Sequence, residues 1–213
     1  MTLSAVLFDV DGTLVDSNYH HALAWSRALH AHGHRVPLFA IHRLIGMGGS
    51  ELLETLIGRE DPTVEDAWRR YFDELLPEVL AFDGAGELLR AVHERGVTIV
   101  LATSSPQDLL SEMGARIDAD DAIDDVVTSA DAEQAKPHPD IFEIALEKSG
   151  VPRDRAVVVG DSVWDVAAAI EARLVCIAVE SGGYSRGELE TAGAQAVYRD
   201  PNDLHAHLDE WIA

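Results

Sequence analysis

Cysteine is nearly missing from this chain. A single one, Cys176, stands among 213 residues, which excludes an intramolecular disulfide framework and fits a reducing compartment. It lies in the apolar run RLVCIAV, where a thiol reads as buried packing rather than as a reactive group. Positive charge is also scarce: 16 Lys and Arg face 38 Asp and Glu, for a formal net charge of −22. Such a field repels polyanions, so no nucleic acid and no membrane surface is expected as a partner. An anionic ligand would need local positive charge from a few basic residues and from a metal. No run approaches the ~20 apolar residues of a membrane span. The opening MTLSAVLFDV lacks the basic start of a signal peptide, and Asp9 breaks its apolar run. A cytoplasmic chain is the expectation. What remains, 47% hydrophobic and 25% charged residues, is ordinary globular composition with chain enough for a large core.

Five short apolar runs read as buried strands: AVLFDV (5–10), VTIVLAT (97–103), DVVTS (125–129), AVVVG (156–160) and LVCIAV (174–179). They lack polar alternation, as strands of a parallel sheet covered on both faces do. Amphipathic stretches separate them: GAGELLRAVHERG (84–96), HPDIFEIALEKSG (138–150) and SVWDVAAAIEARL (162–174). The first two stop at a glycine. Alternating strands and helices imply an α/β fold with a doubly wound parallel sheet. From Ser17 to Val79 the alternation fails, and only helical patterns occur: NYHHALAWSRALHAHG, SELLETLIG and VEDAWRRYFDELLPEVL. The expected organisation is a Rossmann-like core of residues 1–15 and 83–213, with an inserted helical subdomain at 16–82. The acidic run DADDAIDD (118–125) reads as a solvated loop.

In a doubly wound sheet, ligands bind beyond the carboxyl ends of the strands. The first strand delivers Asp9 and Asp11 there. Residues two apart on an extended segment face the same side, and like charges so placed disfavour each other's ionisation. A cation, a shared proton or a reaction must justify that cost. The second strand ends in ATSSP, where Thr103, Ser104 and Ser105 precede Pro106; hydroxyls and free N–H groups at a helix start suit an anion. The fourth ends in GDSVWD, bringing Asp161 and, a helical turn later, Asp165. Ahead of it, AKPHPDIF carries Lys136. Each piece alone is a common turn or cap. Together they put four acids, a hydroxyl pair and one lysine at the exits of one sheet.

The motifs DVDGTLVDS, ATSS, KPHPDIF and GDSVWD resemble the four signature motifs of the haloacid dehalogenase superfamily, in the branch of phosphoglycolate phosphatases and β-phosphoglucomutases with an inserted helical cap. The resemblance covers nearly the whole chain. It implies a phosphatase in which Asp9 is the nucleophile and Asp11 the general acid and base. The dehalogenases lack the second aspartate of the first motif, so Asp11 favours phosphoryl transfer. By the same resemblance Thr103 and the Ser104 N–H hold phosphate oxygens, and Lys136 pairs with Asp9 and the phosphoryl group. Mg²⁺ is held by Asp9, the backbone carbonyl of Asp11 and Asp161, with Asp165 a ligand or one step behind. The implied partner is a small phosphorylated metabolite, and the implied assembly a monomer or small homo-oligomer.

The helical segment is harder to read. His30, His32 and His34 in HAHGH are scattered around a helix by their spacing and read as solvated. GMGGSEL has no following Lys-Ser/Thr, so it is not a nucleotide P-loop. Met47, Gly48, Gly49 and Ser50 are either specificity residues or a plain turn before a helix. His21 and Trp25 match a histidine and a tryptophan of the mutase cap, yet a pair four apart is also common core packing. The arginine of the mutase pattern is absent where this chain reads GMGGS. Hydrolysis is therefore the expected reaction, with a β-phosphoglucomutase-type phosphomutase second. A receiver-like module phosphorylated without turnover comes third.

Overall fold

The computed structural model describes residues 3–212. Strand β1 (Ala5–Phe8) leads into four helices, α1 (Asn18–Ala31), α2 (Leu38–His42), α3 (Gly49–Ile57) and α4 (Pro62–Leu75). The alternation then resumes with α5 (Ala85–Glu94), β2 (Thr98–Ala102), α6 (Gln107–Ile117), β3 (Asp125–Val127), α7 (Asp140–Ser149) and β4 (Ala156–Gly160). It closes with α8 (Val163–Glu171), β5 (Val175–Val179), α9 (Arg186–Ala192), β6 (Ala196–Tyr198), α10 (Pro201–Ala206) and α11 (Leu208–Trp211).

The strands form one parallel sheet in the order β3-β2-β1-β4-β5-β6. Every residue of β1 and β4 is buried, because helices cover both faces. Val6, Phe8, Ile99, Val157 and Val159 pack on one face, and Leu7, Val100 and Val158 on the other. That two-sided burial is why the strands show no polar alternation. The chain crosses from one half of the sheet to the other at β1, so the carboxyl ends of β1, β2 and β4 open onto one crevice. Cys176 is buried in β5, and burial pushes its thiol well above the ordinary range.

Helices α1 to α4 have a third apolar cluster of their own, which includes Trp25, Leu29, Ile41, Leu52, Leu53 and Val64. The chain leaves and re-enters the sheet region side by side. Asp16 N donates to Leu80 O at 2.8 Å, Phe82 N donates to Leu14 O at 3.0 Å, and Val15 bridges Ala81 antiparallel. Among the described residues no helix is long and apolar enough to cross a membrane.

Several elements differ from the sequence reading. The first strand ends at Phe8 rather than Val10, so Asp9 and Asp11 lie just past it. A sixth strand, β6, is only three residues long, with two of them half-buried. Helix α2 is five residues and lacks a side-chain cap; both are too short to leave a periodic signal. Pro106 caps α6 from outside rather than opening its first turn. The acidic run is not merely a solvated loop. Asp118 closes α6 in the left-handed region, Asp124 Oδ2 accepts from Ile99 N at 2.8 Å, and Asp125 begins β3. The Asp124 carboxylate, and that of Asp125, which accepts from Val126 N at 2.7 Å, satisfy backbone groups at the sheet edge. His30 and His32 are exposed at the end of α1, and His34 is half-buried.

Candidate active site

Asp9 follows β1 with its own N–H still donating to Val159 O at 2.8 Å. The residue is 5% exposed. Lys136 Nζ donates to Asp9 Oδ1 at 2.5 Å, and Thr13 Oγ1 lies 3.2 Å from Asp9 Oδ2. Lys136 is buried more deeply still and also stands 2.7 Å from Asp165 Oδ1 and 3.3 Å from Ala102 O. One ammonium thus bridges two carboxylates. Burial would lower the Lys136 pKa, but the Asp165 and Asp9 charges outweigh it and hold the amine above the ordinary lysine range.

Asp161 leaves β4 and accepts from Thr13 Oγ1 at 3.2 Å and from Asn18 Nδ2 at 2.8 Å. Gly12 and Gly182 press against it. Gly12 has a φ of +78°, and a Cβ on either glycine would meet the Asp161 carboxylate. Asp165 sits in the first turn of α8, where its Oδ2 accepts from Ser162 N at 3.1 Å and Ser162 Oγ at 2.5 Å. Ser162 Oγ accepts from Asp165 N in return, which closes a capping box.

Carboxylate oxygens of Asp9, Asp161 and Asp165 lie within 4.8 Å of one another. Three buried acids against one lysine is an unbalanced charge. Burial pushes Asp9 up to about 7, and the Asp165 and Asp11 charges add to this against the pull of Lys136. Burial, with Asp165 and Asp9 nearby, also holds Asp161 well above the usual carboxylate range. A hard divalent cation would relieve that imbalance, and an all-oxygen donor set suits Mg²⁺. Asp9 and Asp161 are the better placed to hold it, since both Asp165 oxygens already face Lys136 or Ser162.

The Asp11 carboxylate stands apart from this cluster. Oδ1 accepts from Ser17 Oγ at 2.6 Å and pairs with His21 Nε2 at 2.9 Å. Oδ2 accepts from Thr103 Oγ1 at 3.1 Å and Ser105 Oγ at 2.8 Å. Burial would raise its pKa; the His21 charge and the bonds from His21, Ser17 and Ser105 overcome that and hold it well below the usual range. His21 is fixed in turn by stacking on Phe72, with ring centroids 3.9 Å apart and planes 2° from parallel.

Above these groups lies a cavity of about 380 Å³ that reaches from Asp9 and Asp11 to the helical segment. His21, Trp25, Met47, Gly48, Gly49, Ser50 and Ser104 all line it. The family model of haloacid dehalogenase-like hydrolases matches residues 3–173. The chain belongs to that family. The phosphoglycolate phosphatase of Rhodospirillum rubrum is 34% identical over 98% of this chain and 90% of its own length. The phosphorylated carbohydrates phosphatase of Thermotoga maritima is 30% identical over 95% and 97%. Among solved structures, a hydrolase from Pseudomonas syringae superposes with a TM-score of 0.93 at 36% identity, over 99% of this chain and all of that one. Membership in a family of hydrolases removes the receiver-like reading.

Within this family frame, the four signature motifs bring Asp9, Lys136, Asp161 and Asp165 together under the cavity, with Asp11 beside them. Thr103 sits below the cavity floor. It is fully buried, and its hydroxyl is tied to Asp11 and to Ser105 N, whereas Ser104 and Ser105 reach the cavity. The sequence reading missed Thr13, Ser17 and Asn18, and placed Ser105 at an anion site rather than on Asp11, where its hydroxyl donates. Thr13 and Ser17 fall inside DVDGTLVDS, so proximity to the motif was their only signal. Asn18 contacts Asp161 across 143 residues, and no local pattern announces that.

Proposed function

We propose that this enzyme, a phosphoric monoester hydrolase, removes the phosphoryl group from a small phosphorylated metabolite through an aspartyl-phosphate on Asp9, with Mg²⁺ as its cofactor. An Asp9 carboxylate oxygen attacks phosphorus, the bond to the leaving alcohol oxygen breaks, and Asp11 protonates that oxygen. Water then attacks phosphorus, Asp11 takes its proton, and the bond to Asp9 breaks to free phosphate. Lys136 orients Asp9 and offsets charge as it builds on the phosphoryl oxygens. Asp9 and Asp161 would hold Mg²⁺, with Asp165 behind them through Lys136; the ion supplies further positive charge at those oxygens. The proton that Asp11 passes to the leaving group would reach it through His21, whose Nε2 stands 2.9 Å from Asp11 Oδ1.

The observation that carries this reading is the division of labour between two neighbouring aspartates. Asp9 is bound to a buried lysine beside two more acids, and Asp11 is bound to four proton donors. Residues 16–82 would act as a cap that shields the site from bulk water. The Ser104 N–H is a better candidate for a phosphate contact than the Thr103 hydroxyl, which already bonds Asp11 and Ser105 N. Asp9→Asn tests the scheme: turnover of p-nitrophenyl phosphate should vanish with the fold intact, and near-normal activity would refute the covalent route.

A phosphomutase remains the second reading, favoured by the His21–Asp11 pair. It needs a grip on a second phosphate, and the residues lining the cavity include no Lys or Arg. Incubation with β-glucose 1-phosphate, Mg²⁺ and a trace of its bisphosphate separates the two. Phosphate should outpace glucose 6-phosphate; the reverse would make the enzyme a mutase.

A further inference from the structure

The helical wall of the cavity has a charge of its own. Glu51 and Glu65 line it together with Trp25, Trp68 and Ser50, and Glu133 joins them from the sheet side. The indoles of Trp25 and Trp68 stack with centroids 5.0 Å apart and planes 14° from parallel. Beside them, Ser50 Oγ donates to Glu65 Oε1 at 3.3 Å. A Cβ on Gly49 would come within 2.8 Å of that Oε1 and 3.3 Å of Trp25 Cζ2, so the carboxylate and the indole border one small space. Glu65 is half-buried. Burial holds its carboxyl above the usual range despite the Ser50 bond, and the Glu60, Glu51 and Asp66 charges add to the effect. The buried indole N–H of Trp68 has no hydrogen-bond partner.

We propose that this wall selects phosphate monoesters whose alcohol carries a protonated amine, and disfavours those whose alcohol carries a carboxylate or a second phosphate. Glu51, Glu65 and Glu133 attract a cation, and the cavity lining includes no Lys or Arg to offset them. An anion placed there meets like charge without compensation and leaves Glu65 worse off than before. The Rhodospirillum relative is named for a substrate with a carboxylate; the cavity of this chain is built against one.

This inference rests on the phosphatase reading, and one panel tests both. Three esters of nearly equal length differ in end-group charge: 2-aminoethyl phosphate, 2-hydroxyethyl phosphate and phosphoglycolate. With p-nitrophenyl phosphate as a fourth, kcat/KM is measured at pH 7.5 in saturating Mg²⁺. The aminoethyl ester should exceed phosphoglycolate at least about tenfold, with the hydroxyethyl ester between them. In Glu65→Gln the ratio of the first to the third should fall at least about threefold. Turnover of p-nitrophenyl phosphate with a flat or reversed ranking would overturn the inference and leave the phosphatase reading standing. An unchanged ratio in Glu65→Gln would overturn the role of Glu65. No turnover of any of the four would defeat both readings.

Discussion

Lys136 is buried between Asp9 Oδ1 and Asp165 Oδ1, and a buried ion pair costs most when one partner is removed. Lys136→Met should therefore lower stability by about 3 kcal/mol in denaturant melts, besides reducing turnover by orders of magnitude. Stability within error of the wild type would mean that the lysine offsets little of the local charge. Asp11→Asn should slow esters of poor leaving groups far more than p-nitrophenyl phosphate in the bond-breaking step, since nitrophenolate leaves without a proton. Equal slowing in burst kinetics would argue against general-acid catalysis. At this scale the sequence was informative wherever a residue's chemistry is announced by its own strand exit. Asp9, Asp11, Asp161 and Asp165 are of that kind, and Lys136 is announced by its place just ahead of α7. Asn18 and Ser17 serve partners that only the folded chain brings near, and His21 gains its place beside Asp11 from stacking on Phe72. Neither contact has a sequence period.

The turns after β1 and β5 hold the metal-ligating candidates in place through close backbone approach. Gly182 lies so near Asp161 and Asn18 that a methyl group has no room, whereas nothing lies within 4 Å of a Cβ on Gly187 in α9. Gly182→Ala should displace the Asp161 carboxylate and lose most of the stabilisation given by Mg²⁺ in thermal melts. Gly187→Ala should keep that response and gain about 0.5–1 kcal/mol from helix propensity. The same response in both variants would show that Asp161 is not held by this contact. Element existence was legible in the long runs: β1, β4 and β5 are apolar throughout, and β2 is apolar after Thr98, because both faces of the sheet are covered. The short elements were not. Helix α2 and strand β6 are held by the neighbours they pack against, and five and three residues carry too little pattern to reveal it.

Across the whole molecule, a net charge of −22 surrounds a site that must receive an anion. Three converging carboxylates and one lysine cannot offer a phosphate ester a positive destination alone, so Mg²⁺ and fold stability should be linked. At about 100 times its Kd, an ion that ignores the unfolded chain stabilises by about 2.7 kcal/mol. Thermal melts in EDTA and in Mg²⁺ should differ accordingly, and coincident curves at saturating metal would count against the site. The α/β architecture and the inserted helices could be read from the order of patterns along the chain. The chemistry of the cavity wall could not, because Trp25, Glu65 and Trp68 come from two helices whose packing sets their neighbours.

The claim that Asp9 becomes phosphorylated is tested most directly by trapping it. Asp11→Asn lacks the base for the water step yet can still form the intermediate from p-nitrophenyl phosphate, so the acyl phosphate should accumulate. Acid quenching during turnover, borohydride reduction and peptide mass spectrometry should find homoserine at position 9. Unmodified Asp9 throughout steady nitrophenol release, or reduction at another carboxylate, would contradict the account.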